Sequence, residues 1–164
     1  MRSIAAALCF AVGAASVVSD APAQMPGSAT TQEALSSEIT RFFRDWFAAV
    51  EKGDPDGILE LVDVDFVIKW PLGQPISDRE RLREALAKVQ QNSRQTVEWA
   101  VLEERVERDW AWTRVTEKAT HVPKNGGEPR VNDGSHLVIL RKVDGRWLLH
   151  RDYSAFNQMP RPPR

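Results

Sequence analysis

The chain has 164 residues, a formal net charge of −1 and 42% hydrophobic residues. That length suits one domain, and the hydrophobic share supports one core while arguing against a membrane-spanning protein. Basic residues are scattered among acidic ones, so the basic face of a nucleic-acid binder is missing and no nucleic-acid partner is expected.

The N-terminus reads as an export signal over residues 1–23. Arg2 supplies the positive end, Ile4 to Val18 an apolar run, and Ala21-Pro22-Ala23 a small-x-small cleavage site before Gln24. The run is short for a transmembrane helix. A cleaved signal, giving a periplasmic or secreted product without stable membrane insertion, stands against an uncleaved anchor. Cys9 is the single cysteine and lies inside this segment. Cleavage leaves a mature chain without thiols, which removes disulfides, thiol nucleophiles, zinc–thiolate sites and iron–sulfur clusters. Residues 24–29 then read as a flexible leader, and 158–164, rich in Pro and Arg, as a disordered tail.

The domain is expected over residues 30–157. Thr30-Thr31-Gln32-Glu33 forms a capping box, and Leu35, Ile39, Phe42, Phe43, Trp46, Phe47 and Val50 follow at helical spacing. Gly53 ends this helix; Asp54 caps a short second one with Pro55 at its first position. Phe66 to Trp70 is a strand stopped by Pro71. Ser77-Asp78-Arg79-Glu80 is a second capping box, opening a helix to about Gln91 with Leu82, Leu86 and Val89 inward. The remainder is β: Thr96 to Arg108, Trp110 to His121, Arg130 to Arg141, and Arg146 to Phe156. Helices first and antiparallel strands after make the class α+β. The expected form is a cone-shaped α+β barrel, three N-terminal helices packed on a curved antiparallel sheet, with a pocket at its open end. No Gly-rich phosphate loop is present, and three scattered histidines without an i,i+4 pair make a poor metal site. No cofactor or metal is expected, and His121, near a loop, reads as surface.

The last two strands flank Asp144-Gly145, a hairpin signal. Two registers are open. A three-residue loop sets His136 opposite Asp152 and gathers His136, Val138, Leu140, Leu148, His150 and Asp152 on one face. It leaves Ile139, Trp147, Leu149 and Tyr153 on the other. A two-residue loop pairs Leu137 with Asp152 and breaks this grouping.

The order of elements resembles the nuclear transport factor 2-like superfamily, and within it the SnoaL-like group. Trp46, the Gly53-Asp54 turn, Trp70-Pro71-Leu72-Gly73 and Asp144-Gly145-Arg146-Trp147 carry the likeness. The superfamily hosts many chemistries and many non-catalytic members, so the fold alone implies no activity. Arg151-Asp152-Tyr153 resembles the motif that holds the general base of limonene epoxide hydrolases, which would give Asp152 that role. Their Arg-x-Asp pair corresponds to Arg114-Val115-Thr116, so the acid is missing at Thr116. Their water-positioning Tyr and Asn correspond to Val67 and Lys69. Ketosteroid isomerases carry their Asp base where Trp70 stands here, which argues against that activity.

The candidate catalytic set is therefore Asp152, His136 and Arg114, with Asp152 orienting the His136 imidazole. The candidate ligand pocket adds Trp46, Val67, Lys69, Trp70, Thr116 and His150. Arg114–Asp152 reads equally as a structural ion pair. Three functions stand: a pocket binding a small organic ligand without turnover; a hydrolase, isomerase or dehydratase using Asp152 and His136; and an interaction module. A homodimer through the Ile139, Trp147, Leu149 and Tyr153 face is expected, because that face is too apolar to leave in water.

Overall fold

A computed structural model of the chain describes residues 26–157, with side chains from residue 36 onward. The signal segment, Gln24, Met25 and the 158–164 tail lie outside the described residues. The elements are α1 (Pro26–Lys52), α2 (Pro55–Leu59), β1 (Val62–Lys69), α3 (Arg79–Asn92), β2 (Ser93–Glu107), β3 (Trp110–Pro123), β4 (Arg130–Val143) and β5 (Arg146–Phe156). Helix α1 starts ahead of the Thr30 box and takes in most of the segment expected as a leader.

Local chemistry accounts for the joints. Gly53 adopts φ +66°, the left-handed conformation that ends helices, and its N–H donates to the Val50 carbonyl at 3.0 Å. A side chain there would strike Gln90 of α3. Asp54 caps α2 by accepting from the Gly57 N–H at 2.9 Å. Helix α3 is capped by Asp78, which accepts from the Arg81 N–H at 2.8 Å. The cap is thus one residue beyond the expected Ser77.

The sheet is five-stranded, in the order β1-β5-β4-β3-β2, and curved. It is mixed: β1 runs parallel to β5, while every other pair is antiparallel. The expected all-antiparallel sheet is corrected at that edge, because α3 lies between β1 and β2 in sequence and the chain returns to the opposite edge. The concave face packs on α1 through Ile39, Phe42, Phe43 and Phe47. Trp99 of β2 stacks on Phe47 at 5.3 Å between centroids. Burying each such side chain stabilises by about 1.5–3 kcal/mol. The inward positions of β3 are correspondingly small: Ala111, Thr113, Val115 and Ala119.

The β4–β5 hairpin has a two-residue turn. Asp144 and Gly145 take φ of +50° and +78°, and Val143 pairs with Arg146, as a type I′ turn requires. A bulge then leaves His150 unpaired: Leu140 pairs with Leu149, but Ile139 pairs with Arg151. The extra residue inverts the side-chain alternation halfway along β5. On the turn side Trp147 and Leu149 face inward, 6% and 2% exposed, correcting their expected place on an outer interface. Trp147 Nε1–H donates to Glu38 Oε2 at 2.9 Å and ties the turn to α1. Beyond the bulge Asp152 and Ser154 face inward. No helix among the described residues is long and apolar enough to cross a membrane.

Candidate functional site

A cavity of about 450 Å³ opens where the helices diverge from the sheet. Its wall is largely apolar: Trp46 and Val50 from α1, Ile58 from α2, Trp70 and Leu72 from the turn after β1, Leu86 and Val89 from α3. Lys69 Nζ–H donates to the carbonyls of Trp70 and Gly73, at 2.9 and 2.6 Å, and closes that turn.

The polar groups come from the inward faces of three adjacent strands. His136 Nδ1–H donates to Asp152 Oδ1 at 3.0 Å. On its other side His136 Nε2 lies 3.4 Å from Glu117 Oε2 of β3. Val138, not His136, is the Cα partner of Asp152; the contact is diagonal and depends on the bulge at His150. Asp152 is nearly covered, its side chain 6% exposed, whereas Glu117 is 26% exposed on the cavity.

Burial alone disfavours a charged imidazole here. The hydrogen bonds to Asp152 and then Glu117 outweigh it, and the His136 pKa is pushed up to about 10. At neutral pH the ring is an imidazolium held between two carboxylates. It is a proton donor, not a base. The nearer contact fixes the ring; the longer one leaves Nε2–H accessible to a competing acceptor.

A second polar group lies further along β3. His121 faces Gln95 of β2, Nε2 to Nδ1 at 3.0 Å, and Asn132 of β4, Nδ2 to Nε2 at 3.1 Å. Burial lowers its pKa, against the opposing pull of the Glu117 carboxylate. All three residues line the cavity, so His121 is not an ordinary surface residue.

Of the expected set, Asp152, His136, Trp46 and Trp70 meet at the cavity. Arg114 does not. It faces outward, half-exposed, and pairs with Glu103 at 3.5 Å. The expected Arg114–Asp152 pair is absent because the outward positions of β3 are the even ones. Thr116 shares that outward parity. Neither Val67 nor Lys69 lines the cavity. His150 points to the opposite face: its Nδ1–H donates to Asp63 Oδ2 at 2.9 Å, and its ring meets Trp110 edge-on at 5.0 Å.

The family model of the SnoaL-like domain matches residues 43–150. The chain belongs to the SnoaL-like domain family. No match was found among curated protein sequences. Solved structures similar to this SnoaL-like domain include a conserved protein from Planctomyces limnophilus, 24% identical with a TM-score of 0.70, covering 76% of this chain and 98% of that one. A putative scytalone dehydratase from Novosphingobium aromaticivorans is 16% identical, with a TM-score of 0.75, and covers 83% of this chain and 93% of that one. A ketosteroid isomerase-like protein from Erwinia carotovora is 19% identical, with a TM-score of 0.67, covering 75% and 96%. At these identities the likeness is one of fold, the nuclear transport factor 2-like α+β cone.

Glu117 and His121 of β3, with Gln95 and Asn132 beside them, are polar site residues that sequence reasoning missed. Their signal is faint. Ala111, Thr113, Val115, Glu117, Ala119 and His121 alternate with Trp110, Trp112 and Arg114, and the larger apolar residues fall on the outer face.

Proposed function

We propose that this SnoaL-like domain binds a small, mostly apolar organic molecule in the cavity, with an oxygen of the ligand at Nε2–H of His136. One observation carries the reading: an aromatic and aliphatic wall ends on a single ionised array. Apolar surface supplies affinity and a few placed polar groups supply orientation, the usual division in small-molecule sites. Calorimetric titration with naphthalene and 2-naphthol tests it. Saturable binding of 2-naphthol is expected, weakened at least about tenfold by Trp70→Ala. A wild type that binds neither probe contradicts the reading.

A second reading, catalysis by proton transfer, is favoured by the 3.0 Å His136–Asp152 contact on the cavity. His136 is then the acid and a neighbouring carboxylate the base. The names of two structural neighbours, dehydratase and ketosteroid isomerase-like, belong to this class of chemistry. Deuterium uptake from heavy water into 2-tetralone, faster than in the Glu117→Gln and Asp152→Asn variants, is the expected result. Uptake at the protein-free rate rules this reading out and leaves binding standing.

Two further proposals concern the protein's surroundings. The Ala21-Pro22-Ala23 site supports export with a mature start at Gln24, which the intact mass of the exported protein checks. The exposed outer face of the sheet, with Trp110, Trp112, Leu137 and Tyr153 each 41–49% exposed, supports a homodimer. Trp112 and Ile139 are paired across β3 and β4, and Leu137 and Tyr153 across β4 and β5, so the patch is continuous. Trp112→Glu is expected to yield folded monomers in sedimentation; a wild type already monomeric at high concentration contradicts the dimer.

A further inference from the structure

We propose that Gln95, His121 and Asn132 form a second polar subsite of the cavity, which takes an uncharged group able both to donate and to accept a hydrogen bond. A hydroxyl or a carboxamide fits. The ligand would thus carry polar functions at both ends, one at His136 and one here. The inference rests on the cavity being a small-molecule site.

Placement comes first. Glu117, Ala119 and His121 occupy successive inward positions of β3. Four residues of strand separate the two polar stations by about 13 Å along the backbone. Between them on the strand stands Ala119, buried and small. On β4, Asn132, Gly134 and His136 repeat the pattern, with glycine in the middle. Small residues therefore leave open the space between two polar ends.

Proton bookkeeping gives the subsite its chemistry. His121 is neutral at pH 7, because burial lowers its pKa. A neutral imidazole has one N–H and one acceptor nitrogen. Both flanking amides place nitrogen toward the ring, at 3.0 and 3.1 Å. Only one of them can donate. A half-turn of the other amide brings its oxygen to the ring N–H. The donating amide is left with a carbonyl acceptor, the accepting amide with an NH2 donor. Both belong to cavity-lining residues. Unused donor and acceptor together complement a group that has both, and leaving them unmatched against an apolar ligand costs binding.

Charge sets the second requirement. The ionisable residues lining the cavity are Asp54, Glu117, His121, His136 and Asp152, with no Lys or Arg among them. With His136 charged and His121 neutral the lining is net negative, so a carboxylate is repelled.

The test uses one ring system with added groups: 2-naphthol, 2,6-dihydroxynaphthalene and 6-hydroxy-2-naphthoate, titrated into the full mature chain by calorimetry. In wild type the second hydroxyl is expected to raise affinity about tenfold, and the carboxylate to lower it below that of 2-naphthol. Asn132→Leu and Gln95→Leu should each reduce the second-hydroxyl gain, read as the ratio of diol to 2-naphthol affinity within the same variant, below about threefold. Two variants on different strands guard against one misfolding, and circular dichroism confirms the fold. A wild type in which the diol gains nothing overturns the subsite, as does a full gain retained in both variants. Tight binding of the naphthoate overturns the charge requirement. Failure of every probe, 2-naphthol included, overturns the cavity reading and the subsite with it.

Discussion

One hairpin carries two histidines on opposite faces, each paired with an aspartate, and the two pairs differ in everything except the contact itself. His136 Nδ1 meets Asp152 at 3.0 Å and His150 Nδ1 meets Asp63 at 2.9 Å. The first pair lines a cavity and has a second carboxylate, Glu117, at the free ring nitrogen. The second lies outside that cavity. Asp63 is 1% exposed, accepts from Arg141 Nη2 at 2.7 Å and from its neighbour's Val64 N–H at 2.7 Å. Trp110 closes over His150 and lies beneath the Arg141 guanidinium. The outer cluster ties β1, β4 and β5 together. The same pair of residue types lines a cavity in one setting and fastens strands together in the other; access and the third partner set the difference.

Removing the shared anchor of the outer cluster should have the largest effect. Asp63→Ala leaves the Arg141 guanidinium and His150 without their carboxylate, and is expected to cost about 3–5 kcal/mol. Urea denaturation measures it, and the folded remainder should keep its affinity for 2-naphthol. A loss below about 1 kcal/mol would make the outer pair an ordinary surface interaction.

The inner pair should show itself next, through pH. The folded-state pKa of His136, about 10, lies above the unfolded value near 6.5. The folded protein then holds a proton that the unfolded chain releases. The stabilisation is complete below pH 6.5 and drains away as pH rises toward 10. Stability measured by urea midpoint is expected to fall across this window in wild type, and to fall less steeply in His136→Gln. Parallel curves would show that the two carboxylates do not hold the proton.

The smallest effect is expected from His150→Gln. It deletes one hydrogen bond of Asp63 while Arg141 remains, at a cost of about 1 kcal/mol, with no change in ligand affinity. His136→Gln should do the reverse in kind, weakening 2-naphthol at least about tenfold. Equal effects of both on binding would erase the contrast between the two faces.

The helices and strands were legible because their signals are local. Gly53, Asp54 and Pro55 set the first corner, and Asp144-Gly145 set the last turn. The pairing of His136 with Asp152 was reached through a register that the structure corrects. Of the two loops left open, the turn is the two-residue one, and the bulge at His150 then shifts the pairing by one, so that Asp152 meets Val138, the partner neither register gave. The two shifts restore the parity at Asp152 and invert it at Trp147 and Leu149. Nothing in Trp147 to Tyr153 marks a bulge, since it arises where β5 must pair β4 and β1 at once. The β3 face was illegible for a different reason. Its inward residues are small because the aromatic side chains of α1 fill the space, so the tryptophans Trp110 and Trp112 fall outside. Placing Arg114 and Thr116 at the site followed the resemblance to epoxide hydrolases, and an acid introduced at Thr116 would lie on the far side of the sheet from the cavity.

The most direct measurement of the inner array is the nitrogen-15 resonance of each histidine ring, followed from pH 5 to 10. His136 should carry protons on both nitrogens through neutral pH and begin to lose one only near pH 10, while His121, its pKa lowered by burial, should be neutral at pH 7. A His136 ring that titrates near 6.5, or stands neutral at pH 7, would contradict the ionised array at the cavity.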